Sequence, residues 1–321
     1  MTRYFLVGGA GFIGSHLCDR LLQQETATVT VFDNFSSGRE WHLERHAATD
    51  RLRIIGGDAK DLRALTEAMR GHHVVIHLAS NPDIARAATE PAIDFDEGTL
   101  LTHHVVEAMR ITATQQVVYA SGSGVYGDIG ETEADEDYGP LLPISTYGAS
   151  KLGGEALICA YCHMFGLRGC GFRFGNVVGP RQTHGVGFDF IRNLLRDPAR
   201  LRILGDGSQS KSYIHVSDVI SAVLVALERT DEPFAVYNVA TGDYVTVTEI
   251  ADLAVACAGL EPGSVRYEYT GGNRGWKGDV PVVRLDTTRI RALGWRNEMG
   301  SREALRDAML AMLPEAEAGR L

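Results

Sequence analysis

The sequence predicts an α/β chain, with a doubly wound parallel sheet followed by a smaller C-terminal α/β lobe. Three observations carry this. Apolar runs of about four to six residues alternate with helix-length amphipathic segments through the first half. A glycine-rich turn joins the first apolar run to the first amphipathic segment. After about Phe174 the rhythm loosens into shorter, irregularly spaced segments. Runs that are apolar throughout belong to strands buried on both faces, as in a parallel sheet with helices on each side.

In order, Tyr4 to Val7 reads as a buried strand and Phe12 to Gln23 as an amphipathic helix. Val29 to Phe32 and Arg53 to Ile55 follow as strands, then Leu62 to Met69 as a short helix. Val74 to Leu78 is a fourth strand. Pro91 to Met109 is a long helix with a proline near its start, where the missing N–H costs nothing. Gln116 to Tyr119 is a strand, Ser145 to Phe165 a helix and Gly169 to Phe174 a sixth strand. The second half reads as helices at 185–195, 216–227, 248–258, 289–293 and 302–313, with strands at 201–204 and 236–239. Residues 314–321 read as a frayed end. Residues 1–174 form the dinucleotide-binding domain, with a stretch at about 212–240 returning to it, and 175–321 form mainly a substrate-binding lobe.

The 321 residues suffice for one large or two interleaved domains. A formal net charge of -10 disfavours nucleic acid as a partner, although a local pocket can still be positive. The N-terminus runs straight into a strand with no signal-peptide pattern, and no stretch approaches the roughly 20 apolar residues of a membrane span. Five cysteines, an odd number spread along the chain, point to reduced thiols and a cytoplasmic protein. Cys159 and Cys162 make a CxxC pair inside a helical pattern, which reads as packing rather than redox chemistry or metal binding. His72-His73 and His103-His104 lack the spacing of a helical zinc site, so no metal is expected.

The turn is Gly8-Gly9-Ala10-Gly11-Phe12-Ile13-Gly14. Gly8 permits the tight turn, Gly11 lets the backbone approach a pyrophosphate, and Gly14 lets helix and sheet pack closely. The helix start presents free N–H groups to phosphate. Asp33 ends the next strand, where a carboxylate accepts from the adenosine ribose hydroxyls and repels a 2′-phosphate, favouring NAD over NADP. Asp58 is either an adenine contact or a plain turn residue. Leu78-Ala79-Ser80 ends the fourth strand, where ligands meet doubly wound sheets. Phe12, Ile13, Asn34, Ser36, Ser37, Gly38, Ala59 and Phe174 complete the candidate cofactor set with Tyr147 and Lys151.

Tyr147 and Lys151 stand four apart, on one face of a helix. A phenol ionises near pH 10 and is a poor base at neutrality. A neighbouring ammonium, with the positive nicotinamide, favours the phenolate. The phenolate can then take a hydroxyl proton while hydride leaves the same carbon.

These pieces, with Asp33-Asn34, His77-Leu78-Ala79, Val125-Tyr126-Gly127, Arg173 to Arg181, Gly205 to Gln209 and Gly278-Asp279-Val280, resemble an extended short-chain dehydrogenase/reductase of the nucleotide-sugar epimerase/dehydratase family. The resemblance spans nearly the whole chain. It implies tightly bound NAD, a nucleotide-sugar substrate, and a homodimer pairing through the helix at 91–109 and the Tyr147 helix. It implies that Asn176 contacts the diphosphate, that Lys211 stands where an Arg usually reaches the phosphates, and that Arg274 and Asp279 serve phosphate and ribose. Asn81, Gly187, Phe188, Leu204 and Tyr213 are the further candidate substrate contacts.

Family members place a Ser or Thr four residues before the tyrosine at 126, to bond the reacting sugar hydroxyl. Gly122 occupies that place here, and Ser121 or Ser123 is expected to take over. The 4,6-dehydratases follow that Ser/Thr with Asp-Glu, whereas this chain has Ser123-Gly124. The reading is therefore a 4-epimerase, most simply of a UDP-hexose, that passes through a 4-keto sugar. A dehydratase or other 4-keto-forming enzyme drawing a carboxylate from elsewhere, such as Asp83, is the alternative. A non-catalytic NAD-binding regulator is a third reading, disfavoured by retention of both Tyr147 and Lys151.

Overall fold

The computed structural model describes residues 1–81, 83–276 and 278–320. Along the chain lie β1 (Thr2–Val7), α1 (Phe12–Leu22), β2 (Ala27–Asp33), β3 (Leu52–Gly56), α2 (Leu62–Met69), β4 (Val74–His77), α3 (Leu101–Thr112) and β5 (Gln116–Ala120). Next come β6 (Glu133–Ala134), α4 (Thr146–Phe165), β7 (Arg168–Phe174), β8 (Asn176–Val178), α5 (Val186–Arg196), β9 (Arg200–Ile203), β10 (Ser210–Lys211) and β11 (Tyr213–His215). The chain continues through α6 (Val216–Arg229), β12 (Phe234–Val239), β13 (Val245–Thr246), α7 (Val247–Cys257), β14 (Arg266–Tyr269), β15 (Arg284–Leu285), α8 (Thr288–Ala292) and α9 (Ser301–Glu317). Two compact units result. The first comprises residues 1–125, 145–173 and 220–237, and the second residues 126–144, 174–219 and 238–321, of which Leu321 is outside the described residues.

The first unit is built on a seven-stranded sheet in the order β12-β7-β5-β4-β1-β2-β3, with the pairs from β3 through β7 all parallel. The order turns back between β1 and β4, so the chain leaves those neighbours in opposite directions and opens a crevice at their C-terminal ends. Val7 lies opposite His77 there. Phe5, Val75, Val117, Val105, Met109 and Ile158 form one continuous core between the sheet, α3 and α4. α4 starts on Ser145, whose Oγ accepts from the Gly148 N–H, and stops at Gly166 with a positive φ of 71°.

The helix expected over 91–109 contains a π-helical stretch at Phe95–Leu100 before α3 begins. The stretch packs closely on its neighbour. A methyl group at Gly98 would stand 2.6 Å from Ser150 Oγ, so this turn lies hard against α4.

In the second unit α5, α7 and α9 enclose a core of Phe190, Ile191, Leu194, Ile250, Leu253, Leu305 and Met309, floored by the parallel pair β9 and β14. α7 opens with a capping box in which Thr246 Oγ1 accepts from Glu249 N while Glu249 accepts from Thr246 N. The expected frayed end from Pro314 is instead helical to Glu317. Glu315 Oε1 accepts from the Arg181 N–H at 2.9 Å, which fastens the last turn.

Candidate active site

The turn after β1 brings two strand exits together. Gly8 has a φ of 80°, and a side chain on it would stand 2.7 Å from the Ala79 nitrogen. Leu78 N and Ala79 N both donate to Val7 O, at 2.9 and 3.0 Å. Gly14 touches the turn itself, since a methyl there would lie 2.7 Å from Gly8 O and Gly9 Cα. Gly11 is the N-cap of α1 and offers no side-chain cap, so the first N–H groups of the helix are left for another acceptor. Phe12 and Ile13, on that first turn, are part-exposed.

Asp33 is buried at the end of β2. Its Oδ2 accepts from Ala10 N at 2.9 Å and its Oδ1 from Phe35 N at 2.8 Å. Burial holds the carboxyl above the usual carboxylate range, and those two N–H groups offset only part of the rise. Each oxygen keeps a lone pair, enough to accept from two ribose hydroxyls. Gly38 is buried beside it, Asn34 and Ser36 are exposed with Asn34 Oδ1 accepting from Ser36 N, and Ser37 is half-buried. Asp58 closes its own turn by accepting from Lys60 N at 2.8 Å, with Ala59 buried behind it. An uncapped helix start, a crevice and a buried strand-end carboxylate are the donor and acceptor set that a dinucleotide requires.

Tyr147 and Lys151 lie in the first two turns of α4. Lys151 is 3% exposed, and its Nζ donates to the Ala120 carbonyl at the end of β5 at 2.7 Å. That bond holds the ammonium 5.4 Å from the Tyr147 ring centroid and 5.2 Å from that of Tyr119. Burial lowers Lys151 to about 8, against the opposing charges of Asp94 and Glu155. Burial likewise pushes the Tyr147 phenol up to about 12, while a hydrogen bond from Ser80 works the other way and the Asp94 charge adds to the rise. The lowered phenol expected from the sequence is thus absent in the protein alone, because desolvation outweighs its polar neighbours. Beneath Lys151, His77 Nε2 is 3.0 Å from Thr102 Oγ1, and burial and the Lys151 charge depress the imidazole to about 3.

The two serine candidates part company. Ser121 is buried and donates to Glu155 Oε1. Glu155, two turns below Tyr147 on α4, also takes Arg173 Nε at 3.0 Å and Nη2 at 2.7 Å. Both members of this pair have side chains 5% exposed. Ser123 heads the 3-10 turn Ser123–Tyr126 and is part-exposed. Asn81 is buried with its amide engaged: Nδ2 donates to Asp83 O and to Asp94 Oδ1, both at 2.9 Å, and Oδ1 accepts from Asp83 N at 3.0 Å. Its neighbour Pro82 lies outside the described residues.

The second unit holds the remaining candidates. Lys211 Nζ donates to Asp279 Oδ1 at 2.6 Å, and Asp279 Oδ2 accepts from Gly275 N at 3.0 Å. Arg274 is held by Asp128 and by the Asp279 carbonyl. Asn176 is exposed and donates to Ser212 O at 3.4 Å, and Leu204 is exposed. Phe174 is buried in the last position of β7. Phe188 and Tyr213 belong to the apolar core of this unit, and Gly187 packs on Met309.

Glu155, Asp94 and Thr146 escaped the sequence reading. Glu155 carried a signal, since it continues the Tyr147–Lys151 face of an otherwise apolar helix by one further step of four. Asp94 carried none, because its partners come from distant segments. Among the described residues no group of three or more His, Cys, Asp or Glu could hold a metal ion, and no helix is long and apolar enough to cross a membrane.

Comparison with known proteins agrees with this arrangement. Residues 4–240 match the profile of the NAD dependent epimerase/dehydratase family. The UDP-glucose 4-epimerase of Mycolicibacterium smegmatis is 32% identical over 314 residues, covering 94% of this chain and 96% of that one. A solved UDP-galactose 4-epimerase superposes with a TM-score of 0.86 at 37% identity, over 98% of this chain and 99% of its own. The UDP-glucose 4-epimerase of Thermus thermophilus in complex with NAD gives 0.85 at 30% identity, over 97% and 99%. The crevice, the strand-end acid, the paired tyrosine and lysine and these likenesses agree: the chain belongs to the NAD dependent epimerase/dehydratase family.

Proposed function

We propose that this enzyme is a nucleotide-sugar 4-epimerase, with a UDP-hexose as substrate and a 4-keto sugar as transient intermediate. The observation that carries the reading is Tyr147 beside the anchored Lys151, with Ser123-Gly124 where dehydratases carry two acids. The two carboxylates whose charge reaches this pair are already engaged, Asp94 by Asn81 and Thr146, and Glu155 by Arg173 and Ser121. Asp83, the acid a dehydratase would have to draw on, is exposed and caps the 3-10 turn Ile84–Ala88.

Bound NAD supplies a hydride acceptor and, on the return, a hydride donor. Gly8, Gly11 and Gly14 admit its pyrophosphate and Asp33 its ribose. Tyr147 takes the proton of the 4-hydroxyl and, once the ketone has turned, returns it to that same oxygen. Lys151 holds a positive charge against the phenolate form, and the Ala120 carbonyl fixes where that charge sits. With Ser121 occupied by Glu155, Ser123 is the hydroxyl that bonds the reacting sugar oxygen. Lys211, Arg274 and Asn176 take the diphosphate and Asp279 the nucleoside ribose. We place the enzyme in the cytoplasm, on its five free thiols, and as a homodimer.

The test is direct. Incubation with UDP-glucose or UDP-galactose, followed by chromatography of the nucleotide sugars, should show interconversion and transient nicotinamide reduction. Neither signal with either sugar contradicts the substrate. A stable 4-keto product, or solvent deuterium at C5, contradicts the epimerase in favour of the dehydratase.

A further inference from the structure

Asp94 is 1% exposed and lies where the chain enters the π-helical stretch. Its two oxygens take two neutral donors from different segments. Asn81 Nδ2 donates to Oδ1 at 2.9 Å, and Thr146 Oγ1 donates to Oδ2 at 2.7 Å. Asn81 directly follows Ser80, the neighbour that favours the ionised Tyr147 phenol, and Thr146 directly precedes Tyr147. The contacts therefore make one link, from Asn81 through Asp94 to Thr146, between the residue after Ser80 and the residue before Tyr147. The carboxylate thus ties the exit of β4 to the first residue of α4.

We propose that Asp94 is a positioning residue for the base, its carboxylate fixing the start of α4 to the Ser80–Asn81 segment so that the Tyr147 hydroxyl keeps one direction. The inference rests on Tyr147 being that base. Burying a carboxylate between two neutral donors is costly, and the structure sustains it through the residue after Ser80 and the residue before Tyr147. The charge has a second effect. It raises both the phenol and the Lys151 ammonium, so Asp94 restrains ionisation of the base while keeping the lysine protonated. The other groups around the pair are Glu155 on α4, Tyr119 on β5, and His77 on β4, which burial keeps neutral.

The experiment uses the NAD-loaded enzyme with four variants: Thr146→Val, Thr146→Ser, Asp94→Asn and Tyr147→Phe. Thr146→Val removes one link without changing any charge. It should lower kcat roughly ten- to hundred-fold, with KM within about two-fold of the parent. Thr146→Ser keeps the hydroxyl and should restore kcat to within about three-fold. Asp94→Asn should lower kcat and shift both limbs of its pH profile to lower pH, because both groups lose the anion that raised them. A merely structural role would move the unfolding temperature and leave those limbs in place. Unimpaired kcat in Thr146→Val, or unmoved limbs in Asp94→Asn, overturns the inference while an inactive Tyr147→Phe leaves the base in place. Full activity in Tyr147→Phe removes the base, and this inference with it.

Discussion

Ser121 and Ser123 flank Gly122 at the exit of β5, and their surroundings differ. The Ser121 hydroxyl is spent on Glu155, while Ser123 stands part-exposed at the head of a 3-10 turn. Ser123→Ala should therefore lower kcat by roughly a hundred-fold, the scale of losing one donor to the reacting oxygen. Ser121→Ala should keep kcat within a few-fold and cost about 1 kcal/mol of stability, since Glu155 retains both bonds from Arg173. Steady-state kinetics with denaturant titration of both variants checks this, and the reverse pattern would exchange the two roles. Tyr147, Lys151 and Asp33 were legible in the sequence because spacing alone places them on one helix face and at one strand end. The difference between the two serines was not. It depends on a glutamate two turns down α4 and an arginine on β7, and no local pattern announces either contact.

At the scale of the element, α4 does three things at once. It carries Tyr147 and Lys151, lies against the π-helical turn through Ser150, and grips β7 through Glu155 and Arg173. A buried ion pair contributes little net stability against an apolar replacement, but half of one is expensive. Glu155→Ala should destabilise the protein by about 3–5 kcal/mol, because the Arg173 guanidinium is left buried without its carboxylate. Replacing the two together with apolar residues, Glu155→Leu with Arg173→Met, should recover much of that loss in the same denaturant titration. An unchanged midpoint in the single variant would contradict this account of the grip. α4 itself was plain in the sequence from its long apolar pattern and its Ser145 start. The π-helical stretch was not, since one residue of slippage within 95–100 barely disturbs the periodicity, and its close neighbour Ser150 lies about 50 residues away in the chain.

For the whole molecule, the alternation of the first half was enough to give the central sheet, because most strands there are continuous apolar runs bounded by helix-length segments. The second unit was read less completely. β8, β10, β11, β13 and β15 have two or three residues each, too few for any alternation to show. Residues 126–144 belong to the second unit although they fall within the first 174 residues. One surface bears on assembly. α4 exposes Ala149, Ala156, Ala160, Met164 and Phe165, and Phe95 and Ile111 are exposed on the π-helical stretch and α3. A helix apolar on its outer side calls for a partner, and it is where the proposed homodimer would pair. Light scattering at micromolar concentration should give twice the 34.9 kDa chain mass, and Ala156→Glu should give the single mass. A monomeric parent would contradict the homodimer.

The most direct trial is a single substitution, Tyr147→Phe, in enzyme that still holds NAD, assayed with the nucleotide sugar the parent converts. Removing one oxygen from a partly buried ring leaves the fold and the cofactor site in place, so any change reports on proton transfer. The expected result is a fall in turnover of at least roughly a hundred-fold, no build-up of reduced nicotinamide, and substrate affinity little altered. Turnover at the parent rate would mean that another group takes the sugar proton, and that the pairing of Tyr147 with Lys151 serves structure alone.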